Sequence, residues 1–354
     1  MRIAYILPSL VNTGPIVVVN NIVKYLKDKV DLIDVYYFNE APSTLSFDCD
    51  VFQISKSEAI DFDKYDIIHT HTLWADVYVY RNRKQIRRAK IISTIHQDTF
   101  TSFTIQFNRF VAFFLSHYWF RIQKQFDGVV AISDQLKNKY EKVFPNKIRT
   151  IYNGCHIREN EYVDEEIKNL ILGYKEKGYR ILGSYAFISK RKGLNQIIDV
   201  LNLLPEYVYV VFGEGPYLKK LKQSVDKFNL QDRVLFLPYV QAPYSYLKFM
   251  DIYMMPSYSE GFGLAMVEAA LAKKSIVCSN LPSFHEIFTD EEVSFFEVDN
   301  AESLIQSISS AYMGIEEKGK LAFTRANLYF TAEIMANNHL NYYKEISQSE
   351  KIIS

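Results

Sequence analysis

The residues best placed to do chemistry are two glutamates eight positions apart, Glu260 and Glu268, in the run Pro256-Ser-Tyr-Ser-Glu260-Gly261-Phe262-Gly263-Leu264-Ala-Met-Val-Glu268-Ala. They flank a glycine-containing loop that leaves a strand-like stretch, Asp251-Ile-Tyr-Met-Met255, and opens a helix near Gly263. The first backbone N–H groups of such a helix point at whatever occupies the loop, and they favour an anion. Glu260 can accept hydrogen bonds from a polar ligand on the loop, and Glu268 projects from the second helical turn toward the same mouth. A phosphate between two hydroxyl-bearing sugars would satisfy the loop and both carboxylates, so the run reads as a sugar-nucleotide site. An isolated glutamate is ordinarily a solvated surface group; the glycine pair, the Pro-Ser lead-in and Ala269-Ala270 set these two apart.

The elements that must hold this loop alternate along the whole chain, short apolar runs with helical patterns, which is the signature of parallel sheets covered by helices. Strands are expected at Ile3–Leu7, Ile33–Phe38, Ile67–His69, Ile91–Ile95, Val129–Ile132 and Ile148–Ile151, and then at Tyr179–Tyr185, Val208–Phe212, Val234–Leu237, Ile252–Met255 and Ile276–Cys278. Between the two sets lie the turn Asn153-Gly154 and a polar, acidic stretch, Arg158 to Glu166. The expected organisation is α/β, with two doubly wound Rossmann-like domains, 1–165 and 166–330, facing across a cleft, and a last helical segment in 331–354.

A chain of 354 residues with 48% hydrophobic and 23% charged residues suits two ordinary soluble domains. Formal charge balances to zero, yet Arg81 to Arg149 holds fourteen Lys/Arg against four Asp/Glu. Cys49, Cys155 and Cys278 have neither disulfide-framework nor zinc spacing, and a reducing cytoplasm is the expected compartment. No signal peptide or membrane-spanning stretch is expected.

Pro-Ser-x-x-Glu-Gly-Phe-Gly-Leu-x-x-x-Glu-Ala resembles the acidic motif of the retaining glycosyltransferases of family 4, which have the two-domain GT-B fold. The resemblance implies that Glu260 holds hydroxyls of the donor sugar and Glu268 the ribose of the nucleotide, with Gly261, Phe262, Gly263 and Leu264 forming the donor loop. It also implies that the terminal helix, Ala332 to Ile346, crosses back onto the N-terminal domain.

Further segments extend the resemblance. Gly14, in Asn12-Thr13-Gly14-Pro15 after the first strand, stands where the family has two glycines against the donor; a plain tight turn reads equally well, and the Gly-x-Gly-x-x-Gly of a dinucleotide enzyme is absent. His69 and His71 in Asp66-Ile-Ile-His-Thr-His, and His96 in Ser93-Thr-Ile-His-Gln-Asp98, fall at strand C-terminal ends, where open α/β sheets bind ligands. By resemblance His96 contacts the donor sugar near its anomeric centre and is grouped with Glu260 and Lys192 as catalytic, while His71 shapes the loop. A zinc site lacks partners at ligand spacing. Phe187-Ile-Ser-Lys190-Arg191-Lys192-Gly193 resembles the family's Gly-Arg-x-x-x-x-Lys-Gly phosphate motif, with Phe187 in place of the arginine. Lys192 matches, and Lys190 or Arg191 is expected to restore the missing charge. Gly213-Glu-Gly215-Pro resembles the family's turn near the nucleotide, although a structural turn accounts for it as well.

Phe103, Phe107, Phe110, Phe114, Tyr118 and Ile122 recur at helical spacing within Phe103–Phe126, which reads for the most part as a buried helix. The stripe is wider than one buried face requires. With the basic Arg81, Arg83, Arg87 and Arg88 before it, and Arg109 within it, it points to an acceptor carrying phosphate and lipid, or to an anionic membrane surface at the inner membrane face. No RNA-recognition motif accompanies it, and no nucleic acid is expected.

The expected protein is therefore a retaining hexosyl- or N-acetylhexosaminyltransferase. It would use a nucleoside-diphosphate sugar, UDP-linked, and a glycan or lipid-diphosphate-linked acceptor in bacterial surface polysaccharide synthesis, with no cofactor and no metal. Its rivals are a sugar-nucleotide epimerase on the same architecture and a catalytically silent nucleotide- or glycan-binding protein.

Overall fold

The alternation of apolar runs and helices becomes two parallel sheets in a computed structural model of the chain, which describes residues 1–41, 44–157 and 161–348, with only the backbone at Ile105 and Gln106. There are two compact units: Met1–Cys155 with the residues from Phe330 on, and His156–Tyr329.

The first unit runs β1 (Arg2–Ser9), α1 (Gly14–Leu26), β2 (Leu32–Asn39), β3 (Asp50–Gln53), β4 (Ile67–His71), α2 (Leu73–Asn82), β5 (Lys90–Ile95), α3 (Thr99–Gln106), α4 (Arg109–Gln123), β6 (Gly128–Ala131), α5 (Asp134–Tyr140) and β7 (Ile148–Thr150). The strands pair in parallel in the order β3-β2-β1-β4-β5-β6-β7. β4 and β5 are buried at every residue, because helices cover both faces, and so they read as apolar runs and not as alternation. Strand order reverses between β1 and β4, which opens a ligand crevice outside their carboxyl ends.

The second unit runs α6 (Glu165–Glu176), β8 (Arg180–Tyr185), α7 (Asn195–Val200), β9 (Tyr207–Phe212), α8 (Leu218–Lys227), β10 (Val234–Leu237), β11 (Ile252–Met255), α9 (Leu264–Leu271), β12 (Ser275–Ser279), α10 (Pro282–His285), β13 (Ser294–Phe296), α11 (Ala301–Met313) and α12 (Ile315–Tyr329). Its parallel order, β10-β9-β8-β11-β12-β13, reverses between β8 and β11. Leu182, Tyr209, Val211, Ile252, Met254 and Val277 form one core layer against the covering helices. The chain then returns to the first unit, where α13 (Ala332–Gln348) packs along α1 and its Tyr343 hydroxyl lies 3.0 Å from that of Tyr5.

All eleven expected strands are present, and β3 and β13 are additional. Both extra strands sit at sheet edges; β3 is largely exposed and β13 is three residues long, so neither carries an apolar run. The units divide between Cys155 and His156, ahead of the expected 165/166. The reason is that Asp164 already belongs to the second unit: its backbone N–H donates to the Tyr246 hydroxyl at 2.9 Å and its carboxylate caps α6. Arg158, Glu159 and Asn160 of the expected linker stretch lie outside the described residues.

Candidate active site

In the second unit the loops that follow β8 and β11, the strands on either side of the order reversal, carry the charged residues singled out by the sequence. After β8 a turn of 3-10 helix places Lys190, Arg191 and Lys192 and ends at Gly193 in the left-handed region, φ 63°. A Cβ there would stand 1.9 Å from the Pro256 carbonyl, so only glycine lets the two loops close on one another. The contact is completed by Tyr258 N–H, which donates to the Arg191 carbonyl at 2.8 Å. Lys192 Nζ donates to Glu260 Oε1 at 2.6 Å, Arg191 Nη1 to Oε2 at 2.9 Å and to the Ser259 carbonyl at 2.6 Å, and Ser257 Oγ to Oε1 at 2.8 Å.

The Glu260 side chain is only 9% exposed. Burial pushes its carboxyl up, but Lys192 and Arg191 outweigh burial and hold the pKa down at about 2. The result is an acceptor ionised at neutral pH between two cations. Lys190, exposed on the same turn, takes no part in the clamp, and Phe187 is exposed to solvent. The cations at Glu260 are therefore Arg191 and Lys192.

Glu268 stands in an opposite electrostatic setting. From α9 it accepts a hydrogen bond from the Tyr185 hydroxyl at 2.6 Å, yet burial pushes its pKa up to about 7. It changes charge near neutrality, as one carboxylate of a functional pair often does. α9 starts from Gly263, with Leu264 as its first residue; Phe262 beside them is buried and Gly261 is half-buried. The turn 213–215 serves this loop system from behind: a Cβ on Gly213 or Gly215 would come within 2.0 Å of the Ala186 carbonyl oxygen or 2.3 Å of that of Ile188. Ser257 is the serine of the Pro-Ser lead-in, and Tyr185 is a residue of the candidate site that no sequence motif singled out. The cue for Tyr185 was its place at the last position of β8, beside the order reversal.

In the first unit the histidines at the ends of β4 and β5 meet. His71 Nδ1 lies 2.7 Å from His96 Nε2, while the buried Nε2 of His71 has no hydrogen-bond partner. Burial pushes both imidazoles down, His96 to about 3, so both are neutral near pH 7. An orphaned buried N–H costs more than an unused lone pair. The tautomer that avoids such an orphan puts the His71 proton on Nδ1, donated to His96 Nε2, and the His96 proton on Nδ1. Behind this pair, His69 is satisfied on both sides, by the Tyr343 hydroxyl at 2.6 Å and Thr94 Oγ1 at 2.7 Å, and its ring lies 5.5 Å from that of His339. Among the described residues no group of His, Cys, Asp or Glu is arranged to hold a metal ion. Gly14 is exposed at the first position of α1, beyond the end of β1.

The aromatic segment departs from expectation. Phe103–Phe126 is not one buried helix: it breaks at Phe107-Asn108, where the Asn108 side chain caps α4 by accepting from Val111 N–H at 3.0 Å. The inward side of α4 is part polar, Ala112 and Ile122 alternating with Ser116 and Gln123. Asp76, buried on α2, accepts from Trp119 Nε1 at 2.5 Å, from Ser93 Oγ at 2.7 Å and from Thr70 Oγ1, and Gln123 donates to Ser93 Oγ at 2.9 Å. The phenylalanines are consequently left outside: Phe110 is 80% and Phe114 69% exposed. Phe103 is half-buried against Trp119, and Phe107 and Arg109 are exposed. Arg81, Arg83, Arg87 and Arg88 are exposed around the end of α2. No helix among the described residues is long and apolar enough to cross a membrane.

Comparison with known proteins agrees with this architecture. Residues 28–159 match the family model described as Glycosyltransferase Family 4, and residues 170–319 that of Glycosyl transferases group 1. The O-antigen biosynthesis glycosyltransferase WclY of Escherichia coli is 30% identical over 356 residues, covering 98% of this chain and 99% of that protein. A UDP-Gal:alpha-D-GlcNAc-diphosphoundecaprenol alpha-1,3-galactosyltransferase of Escherichia coli is 25% identical over 270 residues, 72% of this chain and 68% of that one. The crystal structure of Anabaena Alr3699/HepE in complex with UDP and glucose superimposes with a TM-score of 0.81 at 18% identity, over 97% of this chain and 99% of that chain, a likeness of fold. With both halves matched by family models and a relative aligned end to end, the chain belongs to the family 4 glycosyltransferases of the GT-B fold.

Proposed function

We propose that the protein is a retaining glycosyltransferase that moves a hexosyl or N-acetylhexosaminyl group from a UDP-sugar to a lipid-diphosphate-linked glycan during synthesis of bacterial surface polysaccharide, at the cytoplasmic face of the membrane. The observation that carries this reading is the Glu260 clamp: a buried carboxylate fixed by Lys192 and Arg191 on two loops at a topological switch point. The names of the O-antigen and diphosphoundecaprenol relatives support the acceptor, and the UDP-bound structure of the same fold supports the nucleotide.

In this reading Glu260 accepts hydrogen bonds from donor-sugar hydroxyls, and Glu268 accepts them from the ribose. Two cations against one carboxylate leave a net positive charge for the departing diphosphate, which Lys192 and Arg191 stabilise through their remaining N–H groups, without a metal ion. Arg191 supplies the charge that Phe187 lacks. The bond from the anomeric carbon to the phosphate oxygen breaks as the acceptor oxygen adds on the same face. The acceptor proton passes to the leaving diphosphate oxygen. His96 is assigned to the donor sugar near its anomeric carbon, with Nδ1–H as the donor group.

The test is release of nucleotide from a panel of UDP- and GDP-sugars, followed by proton NMR of the product's anomeric configuration. Donor-selective release, lost in Glu260→Ala and Lys192→Ala, with the α configuration retained, is expected. Tight binding of nucleotide with no release, with or without lipid-linked acceptor, would overturn the reading in favour of a silent binding protein.

A further inference from the structure

α4 exposes more apolar surface than a helix of a globular unit ordinarily does. Its sheltered side mixes Ala112 and Ile122 with Ser116 and Gln123 and joins the Asp76 network, whereas Phe110, Val111, Phe113, Phe114 and Tyr118 form an exposed stripe along it. Isolated exposed apolar residues are ordinary; five at helical spacing make a face that water does not favour. The polar network also explains why the helix cannot roll over to bury them. Rotation would break the Trp119–Asp76 bond and leave a buried carboxylate short of a donor.

The charged residues of the helix and its cap, Arg109, Arg121 and Lys124, all have one sign. Arg109 opens the helix, and Arg121 and Lys124 stand exposed near its end, rimming an apolar depression floored by Phe120 and Val143. Ile86 and Ala89 share a core cluster with Ile122 and Phe126, and Arg87 and Arg88 between the first two are exposed. A helix of fifteen residues is about 22 Å long. That is too short to cross a hydrocarbon core of about 30 Å, though long enough to lie in its surface.

We propose that α4 is an interfacial membrane helix: its aromatic stripe seats at the acyl boundary of an anionic bilayer while Arg109, Arg121 and Lys124 meet lipid phosphates. This deepens the functional reading above, since it gives the surface on which a lipid-linked acceptor would be met. A second copy of the chain fits the face poorly, because a two-fold contact would set the cationic rims against one another. An anionic leaflet complements both the apolar stripe and its rim.

The experiment is flotation of the full chain with vesicles of phosphatidylcholine containing phosphatidylglycerol, and with phosphatidylcholine alone, at low and high salt. Binding to the anionic vesicles that weakens with salt is expected. Phe110→Ser/Phe114→Ser should lower it by about tenfold or more, the loss of two aromatic anchors, with thermal unfolding unchanged because both side chains are exposed. Arg121→Gln/Lys124→Gln should remove most of the salt dependence. No binding at low salt, or binding that the serine pair leaves unaltered, would overturn the proposal. So would a dimer in solution that the serine pair dissociates, which would make the face a contact between copies. Nucleotide release without vesicles is measured on the same samples: its absence with vesicle binding intact counts against the glycosyltransfer reading alone, and its presence without vesicle binding counts against the membrane helix alone.

Discussion

His71 Nδ1 and His96 Nε2 stand 2.7 Å apart, joined across the neighbouring strands β4 and β5. One ring is sealed in the core with its second nitrogen unpaired; the other reaches the end of its strand. A hydrogen bond from His71 Nδ1–H would set which nitrogen of His96 carries the proton and make His71 a positioning residue for it.

Nitrogen-15 shifts of the labelled protein should report His96 protonated at Nδ1. In His71→Phe, which keeps a flat ring without the N–H, His96 should shift toward the ordinary Nε2–H tautomer. Turnover should fall roughly fivefold, about one hydrogen bond's contribution, with the donor KM little changed. A native His96 protonated at Nε2 would contradict the assignment.

The Glu260 clamp makes a prediction about coupling. Glu260→Gln should lower turnover by about one to two orders of magnitude, the range for a hydrogen bond to a charged group, and leave Lys192 and Arg191 repelling each other. In a double-mutant cycle of Glu260→Gln with Lys192→Gln, the stabilities should couple by about 1 kcal/mol or more. Because the Glu260 pKa is held at about 2, its stabilising contribution is complete above the ordinary carboxylate pKa. It is lost as pH falls below about 4.3 toward 2. Additive single-variant effects would show that the two residues act separately.

Much of this arrangement was legible in the sequence, for identifiable reasons. Glu260, Arg191 and Lys192 lie in loops whose glycines and flanking strands are local patterns, and those loops meet. What local patterns cannot carry is register. His71 and His96 are brought together because β4 and β5 pair with His71 opposite Thr94, a fact of the sheet and not of either segment. Tyr185 reaches Glu268 from an adjacent strand for the same reason. The aromatic helix was misread because periodicity identifies an apolar face but not which way it points. The buried Asp76, in a different helix, decided that.

Glu268 should couple nucleotide binding to protons. Ribose hydroxyls donate better to a carboxylate than to a carboxylic acid, and with a pKa of about 7 the free side chain is largely protonated at pH 6. UDP affinity should rise with pH between 5.5 and 8, by about tenfold. Calorimetry in buffers of different ionisation enthalpy should detect proton release on binding near pH 6.5. Both effects should shrink in Glu268→Gln to what the terminal phosphate of UDP, which titrates at about pH 6, contributes by itself, whereas Tyr185→Phe, which removes the one donor that lowers this pKa, should move the midpoint upward. Affinity independent of pH in the native protein would remove Glu268 from the ribose.

The two units should respond to acid in opposite senses. In the first, burial holds His69, His71, His96 and His339 neutral, with no carboxylate bonded to any of them among the described contacts. The unfolded chain protonates its imidazoles near pH 6.5 and so binds more protons than the folded unit below that point; stability is lost as pH falls, by up to about 1.4 kcal/mol per pH unit for each histidine. In the second unit, Glu268 keeps its proton up to about pH 7, whereas the unfolded chain releases it near 4.3, so this group adds stability as pH falls across that window. Hydrogen exchange read separately for the two units between pH 7.5 and 5.5 should show the first unit opening more readily and the second holding or tightening. His339→Phe should reduce the loss in the first unit, since it removes one titrating ring without taking a hydrogen bond from His69. Equal responses of the two units, or a first unit indifferent to pH down to 5.5, would mean that the four imidazoles are not held neutral by the fold.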